Sequence, residues 1–183
     1  GLLYAAIWDQ NPVVFLEHKL LYGGKGGRKE KTSLDPIMQV PEEAYEVPLG
    51  TVKVVREGKD VTILTNMLMV YRALAAADEL AKQDLQAEVI DMRCLLPLDM
   101  ETLVGSAKKT NRVLIVEEDN LTGGWGAEVA ARLGEEIFYY LDAPIQRIAA
   151  PDTPAPTALS LEAEYLPDAE KITTAARGLM EGG

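Results

Sequence analysis

The chain has 183 residues, 48% of them hydrophobic, which is enough for one well-packed core. Its 18 basic against 29 acidic residues give a net charge of −11, which disfavours nucleic acid or an anionic membrane as partner and favours a basic protein. No apolar run approaches the ~20 residues of a membrane span, and one cysteine with one histidine excludes an internal disulfide framework and a Cys/His zinc cluster.

That cysteine usage fits the cytoplasm. Residues 2–8, LLYAAIW, read as an apolar helix that DQNP ends, because the residue before Pro12 is driven out of the helical region. VVFL at 13–16 reads as a short strand covered on both faces. From Gly23 to Pro48 the composition is that of a linker: GGKGGRKEKTSLDP is glycine-rich and basic, and PEEAYEVP is acidic and bounded by prolines. The basic cluster Lys25, Arg28, Lys29 and Lys31 could serve a phosphate or partner site, but a solvated loop is the preferred reading.

Beyond Gly50 strand and helix patterns alternate. TVKVVREGKDVTILT holds two strand-like runs around an EGKD turn, and residues 68–83 set Val70, Leu74, Ala77, Leu80 and Ala81 at helical spacing. AEVIDMR is a strand, followed after LLPLD by a helix with Met100, Leu103, Val104 and Ala107 on one face. RVLIVEE is the next strand, and TGGWGAE opens a helix with Ala130, Leu133, Ile137 and Tyr140 on its inner side. IQRIAA, the rigid PDTPAP segment and a closing helix marked by Ile172, Ala176 and Leu179 complete the chain. Strands separated by helices of this length predict an α/β fold, a mostly parallel sheet of about five strands with helices on both faces.

Candidate chemistry is sparse. TGGWGAE is the stretch most like a phosphate loop, with glycines leading into a helix N-terminus. It fails the dinucleotide fingerprint, since Val129 stands where a third glycine would follow Gly124 and Gly126, and close packing of helix and backbone accounts for it. His18 directly follows Glu17, a pairing that suits acid/base work, yet no serine or cysteine nearby in sequence completes a triad. Cys94 reads as a core thiol. Asp9 and Asn11 flank a helix end, where unpaired carbonyls gather oxygen ligands, although on spacing alone ordinary turn and cap duty is the preferred reading.

Taken together, NPVVFLEHKLLYG, VPLGTVKVVREGKDVTILT, AEVIDMRCLLPLDMETL, KKTNRVLIVEED, TGGWGAEVAARL and LDAPIQRIAAPDTPAP followed by YLPDAEKI resemble, in this order, the beta subunit of thiamine-diphosphate-dependent 2-oxo acid dehydrogenases. The pyruvate, branched-chain and acetoin enzymes share that subunit type. The resemblance implies a division into 1–22, the helix-strand tail of a pyrimidine-binding domain, 23–50, a linker longer than usual, and 51–183, a transketolase-like carboxy-terminal domain. It also implies that the cofactor-activating Glu and the catalytic His lie ahead of Gly1, so that His18 is not that His. Thiamine diphosphate and magnesium are thus implied for the parent enzyme and not for this portion, which would be inactive alone.

The same resemblance implies a potassium ion at the end of the first helix, held through the Ala6 carbonyl, Asp9 and Asn11. Implied partners are a second beta subunit, the alpha subunit and the subunit-binding domain of the dihydrolipoyl acyltransferase. The acidic region Glu162, Glu164, Asp168, Glu170 and Glu181, above all Asp168 and Glu170, is the expected docking surface for that basic domain. A fragment of a single-chain relative, deoxyxylulose phosphate synthase or transketolase, and a stand-alone assembly module are the alternatives.

Overall fold

The computed structural model describes residues 1–22 and 39–182, so the basic cluster at 25–31 lies outside the described residues. Five strands form one sheet: β1 (Lys53–Arg56), β2 (Val61–Thr65), β3 (Ala87–Asp91), β4 (Val113–Asn120) and β5 (Gln146–Ala150), in the order β1-β3-β2-β4-β5. β1 runs antiparallel to β3, and every other pairing is parallel. The centre of this sheet explains its sequence. β2, VTILT, is buried at all five positions, as a strand covered by helices on both faces must be.

Helices α2 (Met67–Ala81), α3 (Met100–Thr110) and α4 (Trp125–Ile137) connect successive strands, and α6 (Ala169–Glu181) closes the chain. Alternate residues of the strands feed two separate cores. Val61, Ile63, Val89 and Val116 pack with Leu80 of α2 and with Ile172, Ala176 and Leu179 of α6. On the other face Leu64, Ile90 and Ile115 pack with Leu103 and Ala107 of α3 and with Leu133 and Ile137 of α4. The result is the three-layer α/β sandwich that the alternating pattern predicts.

Local chemistry fixes the ends of these elements. Asp99 caps α3 by accepting the Thr102 amide at 3.1 Å, Lys108 and Lys109 occupy its last turn, and Asn111 ends it in the left-handed conformation at φ 58°. Asp168 caps α6 through the Lys171 amide at 2.8 Å. Helix α1 (Leu2–Trp8) forms as expected. The acidic stretch LSLEAEY, which the sequence pattern assigns to no element, forms a short helix, α5 (Leu159–Tyr165).

Three expectations need correction. Val13–Leu16 is not a strand: among the described residues no ladder lies beside it, and all four side chains are exposed, Val14 at 84%. β-forming side chains alone do not make a strand when the backbone has nothing to pair with. Tyr140 is not on the inner side of α4, since the helix stops at Ile137 and tightens into a 3-10 turn, Phe138–Tyr140, that breaks the 3.6-residue period and leaves Tyr140 51% exposed. Cys94 is half-buried and not a core thiol, because it follows Met92 out of the sheet rather than into it.

Candidate functional site

In a parallel sheet the strands' carboxyl ends gather the loops that carry function. Here the connection from β2 leads to one side, to β3, and the connection from β3 crosses to the other, to β4. The order therefore reverses between β2 and β4, and the loop after β4 is the glycine-rich TGGWGAE segment. Gly123 takes φ +82°, which turns the chain, and Gly124 forms the N-cap of α4.

The mouth of that helix is already filled. Glu117, at 0% exposure, directs its carboxylate to the N-terminus of α4, where Oε2 accepts the Gly126 amide at 2.9 Å. Arg147 of β5 closes the site, its Nε and Nη2 reaching Oε1 at 3.1 and 2.5 Å, and Nη2 also donates to the Leu121 carbonyl at 2.7 Å. A Cβ on Gly124 would lie 2.5 Å from Oε2 of Glu117, and one on Gly126 2.7 Å from Oε1. Both glycines are therefore fixed by close packing on an internal carboxylate, which occupies the position a phosphate would take. A diphosphate does not fit this loop.

Beside it runs an open groove lined by Asp119, Asn120, Thr122, Gly123, Asp152 and Thr153. Asp152 holds the PDTPAP segment to the loop, accepting the Thr122 amide at 2.9 Å and its hydroxyl at 2.6 Å. These bonds from Thr122 hold the Asp152 carboxyl below its ordinary value. Asn120 donates to the Pro151 carbonyl at 2.6 Å, and Tyr165 to that of Thr153 at 3.0 Å. The groove is a tied surface whose polar groups serve the fold.

A second polar network lies on the α3 face. Glu88 of β3, 1% exposed, is bound by the Ser106 hydroxyl and the Lys109 ammonium, and Thr62 continues the chain to Ser106 and Thr110 at 2.8 Å each. Lys109 also reaches Glu57 at 3.0 Å. The Glu88 carboxylate raises the pKa of Lys109, and Lys109 lowers that of Glu57. Every buried side-chain nitrogen and oxygen among the described residues has a partner.

The candidate residues of the sequence lie apart. His18 bridges the amino-terminal segment to the sheet, with Nε2 3.2 Å from Oε1 of Glu118 on β4 and Nδ1 accepting the Leu20 amide at 3.2 Å. Its neighbour Glu17 accepts the Tyr22 hydroxyl at 2.5 Å. Asp9 and Asn11 close on each other, as Oδ1 of Asp9 takes the backbone and side-chain amides of Asn11 at 2.8 and 3.0 Å, and these bonds lower the Asp9 pKa. Ala6 is half-buried one turn earlier. Asp168 spends its carboxylate on its cap, while Glu170 is exposed. No group of three or more His, Cys, Asp or Glu side chains among the described residues could hold a metal ion.

Glu117, Arg147, Glu88 and Lys109 are not among the residues that the sequence pattern singles out. A signal for the two glutamates is present, since each interrupts a strand expected to be buried on both faces and so requires a partner. The identity of the partner is not readable, because Arg147 and Lys109 lie on other elements.

A profile of the family described as "Transketolase, C-terminal domain" matches residues 50–172, which span the whole sheet. The chain is 43% identical over 183 residues to the beta subunit of acetoin:2,6-dichlorophenolindophenol oxidoreductase from Cupriavidus necator, covering 100% of this chain and 51% of that one. It is 45% identical over 177 residues to the mitochondrial beta-2 subunit of the pyruvate dehydrogenase E1 component from Oryza sativa subsp. japonica, covering 97% of this chain and 45% of that one. Among solved structures, a split gene transketolase described as an inactive beta4 tetramer superposes with a TM-score of 0.64 at 29% identity, over 80% of this chain and 46% of that one. The chain thus spans about half the length of the curated relatives it matches.

Proposed function

This chain belongs to the transketolase C-terminal domain family, and on that premise we propose that it is the assembly portion of the beta subunit of a 2-oxo acid dehydrogenase decarboxylating component. The observation that carries the reading is similarity over 97% of the chain to a beta subunit of pyruvate dehydrogenase, at 45% identity, beside 43% to the beta subunit of an acetoin oxidoreductase. The lower identity to the split transketolase, 29%, puts a transketolase second. In the proposed parent enzyme a 2-oxo acid such as pyruvate is decarboxylated on thiamine diphosphate and the acyl group passes to lipoyl, the cofactor supplying the carbanion chemistry. The division at residues 22 and 50 and a cytoplasmic location belong to the same proposal, although the rice relative is named as mitochondrial.

This portion binds neither thiamine diphosphate nor its magnesium, and it is inactive alone. The internal carboxylate of Glu117 at the glycine-rich mouth of α4 supports this, as does the inactivity of the split transketolase beta4 tetramer. Isothermal calorimetry with magnesium and thiamine diphosphate should show no saturable heat, and a micromolar dissociation constant overturns the reading. Ala6, Asp9 and Asn11 contribute to a potassium seat: a helix-end carbonyl, a carboxylate and an amide are hard oxygen donors suited to such a cation.

The partners are a second beta subunit, the alpha subunit and the subunit-binding domain of the dihydrolipoyl acyltransferase, the last docking on Asp168 and Glu170 by charge. Because Asp168 caps α6, Glu170→Lys is the cleaner probe. It should slow association measured by surface plasmon resonance more than it speeds dissociation, an effect fading with salt over a Debye length of ~8 Å. Binding that ignores salt contradicts the docking proposal.

A further inference from the structure

His18 is the one histidine of the chain, and both of its ring nitrogens are engaged. Nδ1 accepts the Leu20 amide, which requires that nitrogen to carry no proton; Nε2, facing the Glu118 carboxylate, is therefore the protonated one. The Leu20 bond sits at the start of the 3-10 turn Lys19–Tyr22, whose Leu20 and Leu21 pack against the core formed with α2 and α6. One imidazole thus does two things: it anchors the amino-terminal segment to β4, and it shapes the turn that seats two leucines.

Protonation treats these two contacts oppositely. A proton on Nδ1 turns an acceptor into a donor, so the Leu20 amide loses its partner and meets another N–H. The Nε2 contact to Glu118 survives and gains opposite charge. We propose that His18 is a proton-sensitive clamp, in which the neutral ring holds both the 19–22 turn and β4, and the imidazolium releases the turn while keeping its grip on Glu118.

Among the described residues the neighbouring charges are engaged elsewhere or exposed. On β4, Glu117 is paired with Arg147, and Asp119 accepts the Asn120 amide. Beside His18 on its own segment, Glu17 is bonded to the Tyr22 hydroxyl and Lys19 is exposed. From α2, which packs on the turn, Arg72 donates to the Pro167 carbonyl, Asp78 pairs with Arg56 and Glu79 with Lys82. Glu118 is the carboxylate in contact with the ring.

The test is nuclear magnetic resonance on the whole chain. Imidazole 15N shifts should show the Nε2–H tautomer at pH about 8, and on acidification to about 5 the Leu20 amide should shift in step with the ring and lose roughly tenfold in exchange protection. Asn replaces the Nδ1 acceptor without titrating, so His18→Asn should keep the Leu20 amide protected across the range. Gln reaches in place of Nε2 only, so His18→Gln should leave that amide unprotected throughout. An Nδ1–H tautomer at high pH overturns the proposal. So does a Leu20 amide that ignores the ring's titration, or a step that persists in His18→Asn.

Discussion

Replacing Arg147 by Met removes the guanidinium and leaves most of the aliphatic stem, which isolates the effect of charge. Glu117 then stands at 0% exposure with the Gly126 amide as its donor, beside the positive end of the α4 dipole. Breaking a buried pair by removing one partner costs about 3–5 kcal/mol; the amide and dipole hold this case near the lower end. The Leu121 carbonyl also loses its donor, adding about 1 kcal/mol. A loss of about 3–4 kcal/mol corresponds to a fall in melting temperature of roughly 6–16 °C for a chain of this size.

Urea unfolding followed by circular dichroism measures it, as a shifted midpoint at unchanged slope. The decisive companion is the double variant Glu117→Gln with Arg147→Met, in which no buried charge is stranded and the amide still finds an acceptor. It should recover all but about 1–2 kcal/mol, the share of the Leu121 contact and imperfect packing. A single-variant loss below about 1 kcal/mol, or a double variant no better than the single, would refute the reasoning that Glu117 depends on Arg147.

Lys109→Met strands the buried carboxylate of Glu88 in the same manner, but Lys109 is 42% exposed and water partly screens the pair. Its chemical-denaturation loss should therefore be smaller than that of Arg147→Met, and an equal or larger loss contradicts this ranking. Asp91 tests the opposite sign: burial raises its pKa above 3.8, against the lowering effect of the Arg93 amide, so the native state holds that proton more tightly than the unfolded chain does. The carboxylate thus costs stability above its native pKa and costs nothing below 3.8, so Asp91→Asn should stabilise at neutral pH with a gain that disappears towards pH 3.8. A variant less stable than the parent at neutral pH refutes this. Removing residues 1–17 takes away the exposed Ile7, Trp8, Val14 and Leu16 and should preserve the fold and raise solubility, whereas removal through 22 also takes Leu20 and Leu21 from the core and should lower the melting temperature.

What was legible in the sequence follows the range of each interaction. Periodicity is local, and it located every strand of the sheet and the faces of α2, α3 and α6, since Leu80, Leu103 and Ile172 are all fully buried. The antiparallel edge was not legible: β1 and β2 are separated by four residues, Glu57–Asp60, yet pair not with each other but both with β3. Gly58 shows why, since it sits against the start of β3, where a Cβ would meet the Glu88 amide at 2.1 Å. Turn length alone suggests a hairpin, and only the third strand decides between the two arrangements. At the site, the sequence correctly attributed Gly124 and Gly126 of TGGWGAE to close packing, whereas Gly123 has open space around it and serves the turn at φ +82°; the sequence did not reveal that the neighbour of the packed pair is the buried Glu117 side chain.

That neighbour connects the fold to the proposed role. A sheet end at a switch point normally leaves its helix mouth open for a ligand. Here the chain supplies its own anion, and Arg147, Asp152 and Asn120 draw β4, β5 and the PDTPAP segment into one rigid edge. Such a closure stabilises geometry at the expense of chemistry, because each polar group that satisfies a neighbour is withdrawn from a substrate. A rigid edge with committed polar groups suits an assembly surface, whose partners need a fixed shape to dock upon. Loosening it should therefore affect association more than any catalytic step: introduced into the proposed parent enzyme, Asp152→Ala, which frees both Thr122 contacts, should weaken assembly with the proposed alpha subunit while leaving the turnover of each assembled complex unchanged. Analytical ultracentrifugation paired with turnover per assembled complex separates the two, and lost turnover in fully assembled material would place chemistry at this edge after all.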